Sequence, residues 1–297
     1  MSAFVAWYAM RARKGGVRSI PKLVAQDDQL HSMAAHEPEA IRRPSLGWAL
    51  LEPARFAAEL GLLALTGPLL ATSPRGDGHP VMVLPGFAAT DHGTMLLREF
   101  LSLIGYEVFP WNLGWNLDQH SAGENGEYVA QRIDAIADQT GRKVSLVGWS
   151  LGGVIAREAA RRDSSPLRQV ITLAGPFAGN PSATSLAILY EMITGNRLSS
   201  PEHRERYRCG HRPLAVPSSA IFSKSDGVVA WQNCVSETDA ITENIEVYSS
   251  HSGFSVNPAV FYAVADRLAQ PEQGWSKFVP SGPYRHFFPE MGSAQGN

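Results

Sequence analysis

The chain has 297 residues, 44% of them hydrophobic and 18% charged, and its 26 Lys and Arg against 28 Asp and Glu leave a net charge of −2. Such a length suits one large α/β domain or two small ones, and the lack of any long basic block excludes an electrostatic nucleic-acid footprint. Two cysteines, Cys209 and Cys234, are too few for a disulfide framework and read as buried or indifferent thiols in preference to a pair.

The first residues, MSAFVAWYAMRARK, place an apolar run before the basic cluster, the reverse of a secretory signal, so the expected location is cytoplasmic. Residues 46 to 71 are the most apolar stretch. Glu52, Pro53, Arg55 and Glu59 interrupt it and leave no uncharged span of about 18 residues, the length a membrane helix needs. A buried helical pair is the default reading, with a surface-seeking amphipathic segment as the alternative, so peripheral membrane or lipid-surface contact stays open. Residues 1–75 are expected to form an N-terminal helical extension, ending in the turn-rich ATSPRGDGHP.

From 76 to 297 the pattern alternates. Strands are predicted at 81–87, 106–111, 143–149, 168–175, 218–225 and 244–250, and helices at 94–105, 126–141, from 150 onward, and 258–270. Alternation of this kind implies an α/β fold with a mostly parallel central sheet, helices on both faces, and ligands bound beyond the carboxyl ends of the strands. A helical insertion at about 177–213 interrupts it. There Leu186, Leu189, Tyr190 and Ile193 recur on one helical face, which suits either an apolar cap over a site or a helix packed on the sheet.

The stretch VSLVGWSLGGVIAREAA, 144 to 160, sets Gly-Trp-Ser-Leu-Gly between a strand and an amphipathic helix. A GxSxG serine in that context sits in a strained turn that exposes its hydroxyl, and Gly148 and Gly152 leave room for the facing strand and helix. A hydroxyl is barely ionised at neutral pH, so Ser150 as nucleophile needs a base, and the base needs a carboxylate to fix its tautomer. Asp226 follows the strand AIFSKS and His251 follows IEVYSS, which gives the order Ser, Asp, His along one sheet edge. Phe87, after Pro85-Gly86, and Leu151, after the serine, are the candidate backbone donors to an oxyanion. Thr90 or Asp91 is expected to cap the next helix.

With these residues in view, positions 79 to 278 resemble the α/β-hydrolase superfamily, in its lipase and esterase branch. They look most like a group of bacterial hydrolases carrying LPGF, WNLG, GWSLGG, SDGVV and NPAV…ADRLAQP, here at 84–87, 111–114, 148–153, 225–229 and 257–271. The resemblance implies the α/β-hydrolase fold, with Ser150 as nucleophile, Asp226 as acid, His251 as base, and Phe87 with Leu151 as oxyanion donors. Superfamily members with Asp at the elbow (dehalogenases, epoxide hydrolases) or Cys (polyester synthases) are set aside by Ser150.

The expected chemistry is hydrolysis of hydrophobic acyl esters by a serine esterase or lipase, with Trp149, Leu186, Leu189, Tyr190 and Ile193 lining the acyl site. A non-catalytic hydrolase-fold protein that binds a lipid or partner, and an acyltransferase using the same triad, stay open as alternatives, as does self-association. Neither metal nor cofactor is expected: HExxH and CxxC are missing, and His31/His36 and His203/His211 lack a third partner at ligand spacing and read as surface residues.

Overall fold

A computed structural model describes residues 41–289; the N-terminal part of the expected extension, with His31 and His36, lies outside the described residues. Six strands form one parallel sheet: β1 (Pro80–Leu84), β2 (Glu107–Pro110), β3 (Val144–Trp149), β4 (Leu167–Leu173), β5 (Ser218–Phe222) and β6 (Thr242–Glu246). Their order is β2-β1-β3-β4-β5-β6. The chain therefore reverses its direction of winding between β1 and β3, where a doubly wound sheet opens a crevice at the strands' carboxyl ends.

Alternation along each strand separates two cores. Val81 and Val83 of β1 join Val147, Ile171 and Ile221 in one layer, whereas Met82 and Leu84 join Leu146, Val170 and Ala220 in the other. The first layer is covered by α1 (Leu46–Leu70), α2 (Met95–Leu103) and α8 (Pro258–Leu268). The second is covered by α4 (Glu127–Thr140), which follows the short α3 (Gln119–Ala122), and by α5 (Leu151–Arg162). Each large apolar side chain buried in these layers contributes about 1.5–3 kcal/mol. The insertion after β4 holds two helices, α6 (Ala187–Thr194) and α7 (Pro201–Arg208). Sequence patterning missed α7, whose charged stretch PEHRERYR lacks an apolar stripe; Ser200 as N-cap and Pro201 in the first turn mark its start.

Residues 46–70 form one continuous helix instead of a pair. Ala49, Glu52, Arg55, Phe56, Glu59, Leu63, Thr66 and Leu70 recur every three or four residues on the side turned to the domain. The usual arrangement is inverted, because every charged side chain of α1 faces inward and every exposed residue, among them Leu46, Leu50 and Leu65, is apolar or glycine. Among the described residues, no helix is long and apolar enough to cross a membrane. Cys209 and Cys234 are both free thiols.

Candidate active site

The β3–α5 turn explains both elbow glycines. Ser150 has φ 52° and ψ −120°, a region L-residues rarely enter, at a cost on the order of 1–3 kcal/mol that surrounding packing must offset. A Cβ on Gly148 would lie 2.3 Å from the Gly152 carbonyl oxygen, and one on Gly152 would lie 2.5 Å from that of Leu84. Helix and strand can approach this closely only without those side chains. Ser150 N–H donates to Leu173 O (2.8 Å), which ties the turn to β4.

The loop after β1 comes equally close: a Cβ on Gly86 would lie 3.3 Å from Ser150 Cβ. Fully buried Asn116 holds this loop, donating from Nδ2 to Pro85 O (2.7 Å) and from its backbone to Ala89 O (2.8 Å), while its own carbonyl accepts from Ala88 N–H (2.8 Å). The backbone amides of Phe87 and Leu151 donate to no acceptor among the described residues. Leu151 N–H also opens α5, where the helix dipole favours negative charge. Thr90 caps the 3-10 turn Asp91–Thr94, and Asp91 accepts from the backbones of Trp111 (2.9 Å) and Asn112 (3.1 Å).

Asp226 and His251 stand four and five residues beyond the ends of β5 and β6, in loops longer than the sequence pattern suggests. They meet Ser150 all the same. His251 Nε2 lies 2.9 Å from Ser150 Oγ, and His251 Nδ1 lies 2.7 Å from Asp226 Oδ2. The other carboxylate oxygen of Asp226 accepts from the amides of Val228 (2.7 Å) and Val229 (2.8 Å), so the acid is fixed on both sides. All three residues are buried. Burial opposes a charged imidazole, but the charge and hydrogen bond of Asp226, together with the charge of Glu52, outweigh it and hold the His251 pKa above the ordinary value of 6.5. Trp149 Nε1 donates to His251 O (3.1 Å), so the residue before the serine steadies the His251 backbone.

Tyr190, Leu189 and Ile193 divide between two environments, contrary to the single apolar face read from their spacing. Tyr190 is buried with Ala187 and Leu198, and its ring centroid lies 5.1 Å from that of Phe87. Leu189 and Ile193 are each 41% exposed and Leu186 is half-buried. Asp118 draws Tyr190 inward. Its carboxylate accepts from the Tyr190 hydroxyl and from Arg206 of α7 (2.7 and 2.9 Å), and Arg206 also pairs with Glu158 of α5. Burial raises the Asp118 carboxyl, but Arg206 holds it below the usual carboxylate range. His203, expected on the surface, is buried in this cluster, 3.1 Å from the Tyr190 hydroxyl. A cavity of about 770 Å³ lies beside the cluster, lined by Asp118, Asn125, Glu158, Arg162 and Arg206, and none of Ser150, Asp226 and His251 borders it. Among the described residues, no group of three or more His, Cys, Asp or Glu side chains is placed to hold a metal ion.

The arrangement can pass a proton from a strained hydroxyl to an imidazole braced by a carboxylate, beside two undirected amides. The chain is similar in part to several known proteins. A family described as "Putative serine esterase (DUF676)" matches residues 120–209, which include Ser150. A triacylglycerol lipase of Burkholderia plantarii is 24% identical over 228 residues, 68% of this chain and 63% of the lipase. A pimeloyl-[acyl-carrier protein] methyl ester esterase of Shewanella sp. (strain MR-7) is 33% identical over 108 residues, 36% of this chain and 39% of the esterase. Aspergillus fumigatus lipase B superposes with a TM-score of 0.55 at 21% identity, covering 67% of this chain and 55% of the lipase. The chain thus spans less than two thirds of the length of each of these three proteins. It has the α/β-hydrolase fold and is similar to lipase- and esterase-like members of the α/β-hydrolase superfamily.

Proposed function

We propose that the protein is a serine carboxylic-ester hydrolase that cleaves hydrophobic acyl esters through an acyl-enzyme on Ser150. The observation that carries this reading is the relay from Ser150 Oγ to His251 Nε2 (2.9 Å) and from Nδ1 to Asp226 (2.7 Å), past the carboxyl ends of β3, β6 and β5. Ser150 Oγ attacks the ester carbonyl carbon as His251 Nε2 takes its proton, and Asp226 holds the resulting imidazolium. The Phe87 and Leu151 amides receive the oxyanion, each donor worth about 3 kcal/mol in the transition state. Collapse of the tetrahedral adduct breaks the bond to the alcohol oxygen, which leaves with the proton from His251. Water then attacks the acyl group, gives a proton to His251, and the acid departs as Ser150 recovers its own.

Exposed apolar side chains of the insertion, Leu189 and Ile193 among them, support a hydrophobic acyl group, and the Tyr190 ring against Phe87 couples the insertion to the oxyanion loop. Trp149 and Leu186 complete the assigned acyl site. The wholly apolar outer face of α1, with exposed Arg42 and Arg43 just before it, suits contact with an anionic lipid aggregate that presents such esters. In a fluorophosphonate labelling assay the wild type is expected to react at Ser150, and Ser150→Ala to lose roughly 10⁴-fold or more in ester turnover with folding intact. A wild type that neither labels nor turns over esters would leave a binding protein on a hydrolase scaffold. A Ser150→Ala variant at near-normal rate would remove this serine from the mechanism.

A further inference from the structure

Helix α1 precedes the whole sheet in the chain, yet its carboxylates reach the acid and base loops. Glu52 Oε1 accepts from Gly227 N–H (2.9 Å), the residue after Asp226, and from the backbone N–H of His251 itself (3.0 Å). Its Oε2 accepts from Ser252 N–H (3.2 Å). Two turns further along, Glu59 accepts from Ser250 N–H (2.7 Å), Ser249 Oγ (2.7 Å) and Asn257 Nδ2 (2.9 Å). The three successive amides of Ser250, His251 and Ser252 therefore all end on α1. Arg55, between the two glutamates, donates to Ser225 O (2.6 Å) and Ser225 Oγ (2.9 Å) on the acid loop.

The glycines of both loops report the same closeness. A Cβ on Gly227 would lie 2.6 Å from the Trp48 carbonyl oxygen of α1, and one on Gly253 would lie 1.9 Å from Glu59 Oε2. Burying a carboxylate is expensive unless several donors meet it. Glu52, 7% exposed, satisfies that condition with three backbone amides drawn from two loops.

We propose that Glu52 is a positioning residue of the triad: by bridging the Asp226 and His251 loops it fixes the imidazole against Ser150 and places a second negative charge beside the imidazolium that forms on proton transfer. The inference rests on the reading of Ser150, Asp226 and His251 as a catalytic triad. The ionisable groups facing this region are Asp226 and Cys234 from the domain and Glu52, Arg55 and Glu59 from α1. Arg55 Nη1, 3.6 Å from Glu52 Oε1, is the one cation among them, and its hydrogen bonds go to Ser225. The charges around the imidazole are therefore mainly negative, and Glu52 is the carboxylate bonded to its backbone.

The test uses Glu52→Gln, which keeps the shape and one acceptor oxygen but removes the charge, and Glu52→Asp, which keeps the charge on a shorter arm. The readouts are kcat and KM across pH for a soluble ester, fluorophosphonate labelling rate, and the His251 titration by imidazole NMR. Expected for Glu52→Gln are a kcat lowered about 10-fold or more at nearly unchanged KM, slower labelling, and an acid limb and His251 titration about one pH unit lower. Glu52→Asp is expected to restore the titration while kcat stays reduced. Leu63→Ala, which thins the apolar packing of α1 without removing a hydrogen bond to either loop, should leave the acid limb in place and serves as the control for lost stability. If wild type labels and turns over, but Glu52→Gln matches it in kcat and titration, Glu52 has no positioning role and the triad reading stands. If Leu63→Ala shifts the acid limb as much as Glu52→Gln does, the effect is general loosening and the inference is overturned. Should Glu52→Gln fail to fold, Glu52→Asp decides: wild-type kcat in that variant overturns the bridge. A wild type without labelling or turnover removes the triad reading itself.

Discussion

Asp226→Asn exchanges one oxygen for an NH2 group, and the surroundings dictate which way the amide must turn. Asp226 Oδ1 accepts two backbone N–H groups, from Val228 (2.7 Å) and Val229 (2.8 Å). An Asn Nδ2 placed there would oppose donor to donor and leave buried amides unpaired, at about 1–3 kcal/mol each. The carboxamide oxygen therefore takes that position, and Nδ2 points at His251 Nδ1, where it donates. The imidazole must then carry its proton on Nε2, the atom 2.9 Å from Ser150 Oγ, and it can no longer accept the hydroxyl proton. The same exchange in a serine-protease triad lowers kcat by about 10⁴, equivalent to about 5.4 kcal/mol in the barrier. A loss of that order is expected here in kcat/KM for p-nitrophenyl butyrate near pH 8, with thermal unfolding checked alongside because the hydrogen-bond count is preserved. A folded Asp226→Asn variant within tenfold of wild type would refute the reasoning, since the tautomer argument leaves no base.

Two further outcomes follow from the site and one from the surface. Catalysis needs neutral His251, and its pKa is held above 6.5, so kcat/KM is expected to fall as pH drops through a midpoint above 6.5; a pH–rate profile still flat at pH 6 would contradict the assignment. Gly152→Ala forces a methyl to 2.5 Å from Leu84 O and 2.6 Å from Pro85 O, both backbone atoms with little freedom to move. A loss of roughly 3 kcal/mol or more in denaturant unfolding and a displaced oxyanion loop are expected, whereas a change under 1 kcal/mol would mean the elbow is not packed as described. Glu at Leu50 and Leu65 together should abolish co-sedimentation with phosphatidylglycerol vesicles and leave turnover of a soluble ester intact; unchanged vesicle binding would exclude α1 as the lipid contact.

The legible parts of this molecule are those where a local rule and the fold agree. Continuous apolar runs rich in β-branched residues identify β1, β3 and β4, because a central parallel strand is buried on both faces and such residues suit it. The elbow is legible because one backbone geometry requires two glycines around a serine, whatever follows in the chain. Asp226 and His251 are found by their order after strands, although both stand several residues past where the strands stop, since the strand ends are set by ladder pairing that composition does not encode.

The unread parts are those whose partners lie far along the chain. Asn116 holds the oxyanion loop from 31 residues beyond Pro85 and lies just past the WNLG motif of 111–114, with no pattern of its own. Arg206 and His203 sit in a segment too polar to suggest burial, yet Arg206 is half-buried and His203 buried beside Asp118, 88 residues before Arg206, which supplies the compensating charge. Glu52, Arg55 and Glu59 mislead most. Charges in an apolar stretch are ordinarily taken to mark its solvent side, because water is the cheapest partner for a carboxylate. Here the amides of residues 227 and 250–252 are better partners, because these N–H groups lie beyond the strand ladders and donate to the α1 carboxylates. Burying the charges turns the leucines outward. The inverted face of α1 is thus a consequence of how the acid and base loops are satisfied, which links the helix's exposed surface to the triad through the same side chains.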